Sequence, residues 1–268
     1  MSQMTLPHNQ TATSNLIPNT YHFIWGMLPP SENKPFVMVH YLAVLACHIV
    51  NSPCAINFYF VYEPSGIWWE KTKHLIQIHP LPPFKGVFGK QIEHPAHMAD
   101  VLRLEILFEY GGIYLDLDVI CIKPFTELLI HEVVLGEEKG VGLCNAVILA
   151  EPNASFIGVW LNSYSTFDES EWNEHSVRLP ARLAAQDPSV YVLDPRSFYW
   201  PMYNEGNDLK QFLMGEGTNY CAESYCVHLW ESMTWDFIGF LEESDLVTVD
   251  SEFFMLARSL LQSDLHCL

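Results

Sequence analysis

Two aspartates, Asp116 and Asp118, sit two residues apart in the stretch YGGIYLDLDVI (Tyr110 to Ile120), otherwise built of Ile, Leu, Val and Tyr with two glycines. Two carboxylates at the end of an apolar strand repel each other and lose hydration unless a cation lies between them or water reaches them. A hard divalent ion answers both problems, and carboxylate oxygens suit Mg²⁺ or Mn²⁺. If the stretch is extended, side chains alternate, so Tyr114, Asp116, Asp118 and Ile120 share one face. The bland alternative is a solvated strand end, because a bare D-x-D arises by chance about once in a chain of this size. Context favours the metal: a helix ends at Tyr110-Gly111-Gly112, and a short apolar strand delivers the pair at its carboxyl end, where open α/β sheets bind ligands.

The segment before it, PAHMADVLRLEILFEY, has helical character, and Asp100, Arg103, Leu107 and Tyr110 follow i, i+3, i+7, i+10 spacing along one face. Asp100 and Arg103 could serve the site, or form an ordinary intrahelical ion pair worth a few tenths of a kcal/mol. Far along the chain, His228 in VHLWESMTW follows a strand-like YCV and precedes a Ser- and Thr-rich turn. It can project from a strand end as the aspartates do, and a neutral imidazole there would favour Mn²⁺ over Mg²⁺. The structural alternative is a half-buried, hydrogen-bonded histidine. Cys221 and Cys226 beside His228 suggest zinc, but no CxxC pair accompanies them and a metal role is not expected of these cysteines.

The elements that must position these residues alternate between strand and helix. TYHFIWG (Thr20 to Gly26) reads as a buried strand, and the apolar run Phe36 to Val50 as a buried helix that stops at Asn51-Ser52-Pro53. INFYFVYE, the short helix IWWEKTKHL and the strand-like LIQIHPL continue repeated β-α units that feed a parallel sheet. EVVLGEE and NAVILAEP read as strands, SFIGVWLNSY and SVRLPARLAAQ as helices, and an amphipathic helix begins near Glu252. No repeat or linker divides the chain. Residues 1–18 are expected to be a flexible tail and 19–268 a single domain with acceptor-side elements toward its end.

Composition bounds the function. With 49% hydrophobic residues the chain can build a packed core. A formal charge of -19 repels nucleic acid and anionic membrane surfaces, so an anionic ligand needs a local cation. The opening residues have no secretory pattern, and the longest apolar run falls short of the roughly 20 residues that span a bilayer. The 7 cysteines are odd in number and irregularly spaced. A reducing, cytoplasmic setting without a transmembrane segment is the expectation.

AHMADVLRLEILFEYGGIYLDLDVICIKPF resembles the signature block of glycosyltransferases with a DxD sugar-binding region, typified by glycosyltransferase family 32 and related to the glucosylating domains of large clostridial toxins. YHFIWG, NAVILAEPNASF and VHLWESMTW resemble further blocks of that family, so the likeness extends from Tyr21 to Trp235. The resemblance implies a GT-A fold, α/β with a central mostly parallel sheet flanked by helices. It also implies a hexosyltransferase that moves sugar from a nucleotide-sugar donor (UDP- or GDP-linked) to an acceptor hydroxyl with retention of configuration.

By the same resemblance Asp116 and Asp118 carry the metal and His228 joins them. Trp25 stacks on the nucleotide base, Asp100 and Arg103 hold donor-sugar hydroxyls, and Tyr110 supports the ribose or sugar pocket. Asn145 sits near the anomeric carbon, and Trp235 donates its indole N–H to the diphosphate after a C-terminal loop closes. The acceptor, whether glycan, lipid-linked or protein, stays unassigned. Two rival readings remain. One is a non-catalytic nucleotide-sugar or glycan binder of the same fold. The other is a haloacid-dehalogenase-like phosphatase, whose D-x-D motif YLDLDVI matches imperfectly and whose downstream acidic motif is missing.

Overall fold

The computed structural model describes residues 15–84, 86–204, 206–215 and 219–267. A seven-stranded sheet forms the centre, in the order β3-β2-β1-β4-β7-β6-β8. Its strands are β1 (Thr20–Trp25), β2 (Ala55–Phe60), β3 (Gln77–Pro80), β4 (Gly112–Leu115), β6 (Val133–Glu138), β7 (Gly142–Ala150) and β8 (Val190–Leu193). β7 alone runs against the others, so the sheet is mostly parallel as expected. A separate two-stranded sheet pairs β5 (Val119–Cys121) with β9 (Cys226–His228).

Helices cover both faces: α1 (Met38–Asn51), α2 (Ile67–Thr72), α3 (Pro95–Tyr110), α4 (Ser155–Ser163), α5 (Leu179–Ala184), α6 (Pro195–Phe198), α7 (Asp208–Met214), α8 (Glu231–Ile238), α9 (Asp245–Thr248) and α10 (Glu252–Cys267). Alternation along β1 splits the core in two. Tyr21 and Phe23 pack with α1, β5 and α10, whereas Ile24 joins α3 and α4. None of the described helices is long and apolar enough to cross a membrane. Six described cysteines are free. The expected tail extends too far: Ile17 is fully buried, and the Leu16 and Ile17 amides both donate to the Leu129 carbonyl. Residues 1–14 lie outside the described residues.

Strand order locates a binding cleft. From β1 the chain steps through β2 to β3 on one side, then returns to place β4 on the other. Open α/β sheets bind ligands at such a reversal, outside the carboxyl ends of the two strands. β1 and β4 pair His22 with Tyr114. Three residues further on, Trp25 and Leu117 arrive at those ends.

Gly111 and Gly112 make the approach possible. Gly111 ends α3 at φ 63°, with its N–H on the Leu107 carbonyl at 2.9 Å. Gly112 starts β4 at φ 104°, where an added Cβ would meet the Thr20 carbonyl oxygen at 2.5 Å and His22 Nε2 at 2.8 Å.

Candidate functional site

The short apolar strand expected to deliver the aspartates at its carboxyl end is β4, but the single extended face expected from Tyr114 to Ile120 is broken, because β4 and β5 belong to two sheets. β4 ends at Leu115, and Asp116-Leu117-Asp118 form a turn closed by the Val119 N–H on the Asp116 carbonyl at 3.1 Å. Tyr114, Leu115, Leu117 and Ile120 are all buried, so no solvent-facing side exists to enforce simple alternation. The carboxylates converge because the turn brings them together.

Pairing then adds the histidine. β5 and β9 place Val119 opposite His228, one residue beyond Asp118. His228 Nε2 lies 3.1 Å from Asp118 Oδ2, and the same oxygen accepts from the Glu231 N–H at 2.7 Å. That amide opens α8, where a carboxylate is favoured by the unsatisfied N–H groups and the helix dipole. The segment after His228 is thus largely helix, not the Ser- and Thr-rich turn expected.

Ligand atoms of Asp116, Asp118 and His228 all lie within 4.8 Å of one another. Among the described residues this is the cluster able to hold a metal ion, and it leaves out Cys221 and Cys226. Two carboxylates and an imidazole form a suitable donor set for Mn²⁺ or Mg²⁺. Burial pushes the Asp116 carboxyl up, Arg103 opposes this and Asp118 adds to it. Burial also works against the charge on Asp118, but His228 and the Glu231 amide hold its pKa below the usual range. Burial alone would lower the His228 pKa, yet Asp118 raises it.

Arg103 organises the other side. Its Nη2 lies 3.2 Å from Asp100 Oδ1 and its Nη1 3.3 Å from Asp116 Oδ1. It donates to the carbonyls of Ala99 and Asn145 at 3.1 and 2.8 Å, and its guanidinium lies 4.3 Å over the Tyr114 ring. The Tyr114 hydroxyl donates to Asp116 Oδ1 at 2.6 Å. Asn145 Nδ2 donates to Asp100 Oδ1 at 2.7 Å. Asp100 and Arg103 therefore do form the intrahelical pair, but within a buried network that reaches the turn.

A cleft of about 590 Å³ opens in front of this network, with Trp25, Gly26, Lys34, Arg103, Asp116 and Asp118 on its wall. Trp25 is half-buried, 4.4 Å from the His40 ring and edge-on to Phe36. Trp235, on α8, stacks at 6.4 Å on the same His40 ring, with Lys34 Nζ 4.4 Å over its own. Lys34 also pairs with Glu231 at 2.9 Å.

Tyr110 is not brought to the cleft. It is 56% exposed at the far end of α3 and absent from the cleft wall. Ten residues along a helix is roughly 15 Å of axis, so sharing a face with Asp100 did not mean sharing a site. Sequence reasoning missed Lys34, His40, Tyr114 and Glu231 as partners of the site. Only Tyr114 carried a signal, its place two residues before Asp116.

Residues 33–135 match the model of the family described as "Glycosyltransferase sugar-binding region containing DXD motif". Glucan organizing enzyme 1 of Cryptococcus neoformans var. grubii is 36% identical over 259 residues, covering 91% of this chain and 70% of that protein. Lactosylceramide 4-alpha-galactosyltransferase of Mus musculus is 22% identical over 205 residues, 70% of this chain and 52% of that protein. Among solved structures, the apo-form glycosyltransferase GlyE of Streptococcus pneumoniae covers 92% of this chain and 64% of its own at 10% identity, with a TM-score of 0.48.

Proposed function

Because this chain belongs to the glycosyltransferases with a DXD-containing sugar-binding region, we propose that its cleft takes a nucleotide-sugar and a divalent metal and transfers the sugar with retention. The observation that carries the metal reading is the convergence of Asp116, Asp118 and His228 within 4.8 Å at a strand-reversal cleft. Asp116, Asp118 and His228 would hold Mn²⁺, or Mg²⁺ less well. When bound, the ion supplies Lewis-acid stabilisation of the charge that develops on the departing diphosphate.

The chain's own residues do the rest. Trp25 offers an aromatic face to the base, and Lys34 a cation to the diphosphate, which the net charge of -19 otherwise repels. Arg103 has its nitrogens engaged, so it acts by holding Asp100 and Asp116 in place while Asp100 and Asn145 meet the sugar. Trp235 sits beside Lys34 on α8, from which its indole reaches the diphosphate if that helix closes. Retention is compatible with attack by the acceptor on the face the diphosphate leaves, which needs no strong protein base. The named relatives concern a glucan and lactosylceramide, which supports an acceptor hydroxyl on a saccharide.

The test is incubation with a panel of UDP- and GDP-sugars and Mn²⁺, reading free nucleoside diphosphate. Slow donor hydrolysis is expected. Binding without any release would assign a non-catalytic binder, and phosphate release from monoesters a phosphatase.

A further inference from the structure

Adjoining the cleft, with Arg103, Asp116, Trp172 and His228 on the wall of both, lies a chamber of about 220 Å³. Its wall carries Asp100, Arg103 and Asn145, together with His97, Glu138 and Tyr203, which have no part in the reading above. Glu138 ends β6, is only 4% exposed, and accepts from the Tyr203 hydroxyl at 3.4 Å. Burial pushes its carboxyl pKa up. His97 bonds Asp100 Oδ2 through Nδ1 at 3.3 Å, while its Nε2 is buried without a hydrogen-bond partner among the described residues. Trp172, half exposed, stands at the wall 4.9 Å from the His97 ring.

A buried polar atom left without a partner costs about 1 to 3 kcal/mol, so such atoms around a cavity point to a ligand that completes them. A ring of hydroxyls does so, since each can donate to a carboxylate or to the bare Nε2 of an imidazole whose Nδ1–H is already given to Asp100. Charge then narrows the choice. Asp100, Asp116 and Glu138 face the chamber with Arg103 and His228, and both of these are already engaged: Arg103 by Asp100, Asp116 and two carbonyls, His228 by Asp118. A sugar bearing a carboxylate would add a fourth carboxylate with neither Arg103 nor His228 left uncommitted to receive it.

We propose that Glu138 is a specificity-determining residue for the transferred sugar: it hydrogen-bonds a hydroxyl of an uncharged hexose in this chamber and turns away sugars that carry a carboxylate. This rests on the nucleotide-sugar reading. Tyr203 fixes the Glu138 carboxyl, and His97 holds Asp100 on the facing wall.

The test compares wild type, Glu138→Gln and Tyr203→Phe on UDP- and GDP-linked glucose, galactose and mannose and on UDP-glucuronate with Mn²⁺. Wild type is expected to favour a neutral donor over the glucuronate by on the order of 100-fold in kcat/KM. Glu138→Gln should lower kcat/KM for that neutral donor about 10- to 100-fold and narrow the gap to glucuronate, and Tyr203→Phe should cost about 3- to 10-fold. Calorimetry with UDP or GDP alone separates pocket from fold, because only a misfolded variant loses free-nucleotide affinity. If Glu138→Gln misfolds, Tyr203→Phe carries the same test. Unchanged rate and preference in the folded variants, or a wild-type preference for UDP-glucuronate, overturns the assignment of Glu138. No diphosphate release from any donor by wild type overturns instead the transferase reading on which it rests.

Discussion

Asp118 is held by His228 Nε2 at 3.1 Å and by the Glu231 amide at 2.7 Å, so its substitution must keep an acceptor for that amide. Asp118→Asn does, and should leave the fold intact while reducing turnover on the order of 10³-fold, several kcal/mol of lost metal-borne stabilisation. Asp116→Asn should be nearly as severe. Activity that survived chelation and both substitutions would sink the metal assignment. His228→Ala separates the ions: Mn²⁺-supported activity should fall roughly 10- to 100-fold with a smaller loss in Mg²⁺, because nitrogen suits the softer ion. A manganese titration at saturating donor reads it, and an unchanged midpoint would return His228 to a structural role. Arg103 behaves differently from an exposed sugar contact. At 4% exposure, between two carboxylates, Arg103→Ala should cost about 3 to 5 kcal/mol of stability before any catalytic effect can be read. Trp25→Ala, in contrast, should weaken binding of free nucleoside diphosphate by about 1 to 3 kcal/mol, the size of a lost base stack.

The elements explain why the turn is where it is. Helix α3 was legible end to end, since Pro95 suits its first turn and Gly111 its stop, and the observed bounds agree. The following strand was legible only to Leu115, because nothing in YLDLDVI marks the change of sheet at Asp116. At the other end of β4, where α3 leads into it, His22 holds the corner. Its Nε2–H must donate to the Gly111 carbonyl at 2.9 Å, which leaves Nδ1 to accept from the Tyr59 hydroxyl at 3.2 Å. Burial pushes the imidazole pKa down to about 4, against the Gly111 bond that favours its charged form. The unfolded chain therefore binds a proton at a higher pH than the folded one. Stability from this neutral histidine is complete above about 6.5 and declines as pH falls to about 4, by roughly 3 kcal/mol in all. Urea unfolding across that window should show a steeper loss in wild type than in His22→Gln; parallel curves would mean that His22 is not the titrating group.

At the scale of the whole molecule, the site joins segments more than a hundred residues apart: the turn at Asp116 to Asp118 on one side, β9 and the start of α8 on the other. Binding across that seam should stabilise the entire fold. Mn²⁺ with a nucleoside diphosphate at 100 times Kd contributes about 2.7 kcal/mol, or roughly 5 to 10 °C in Tm for a chain of this size, and calorimetric scans of Asp118→Asn should lose most of that shift. What the sequence determined by itself was local. Periodicity and caps marked α1, α3 and most strands, and the types and spacing of Asp116 and Asp118 and of Asp100 and Arg103 singled these residues out as candidates, because such patterns depend on neighbours within a few residues. Tertiary structure alone decided the rest. The reversal of strand order between β1 and β4 brought Trp25 to the turn, the β5–β9 register set His228 against Asp118, and axial distance along α3 removed Tyr110. Glu138 reached the chamber wall only through the packing of β6 beside β7. No spacing along the chain encodes such meetings, since they follow from which apolar faces bury against each other and in what order the strands close.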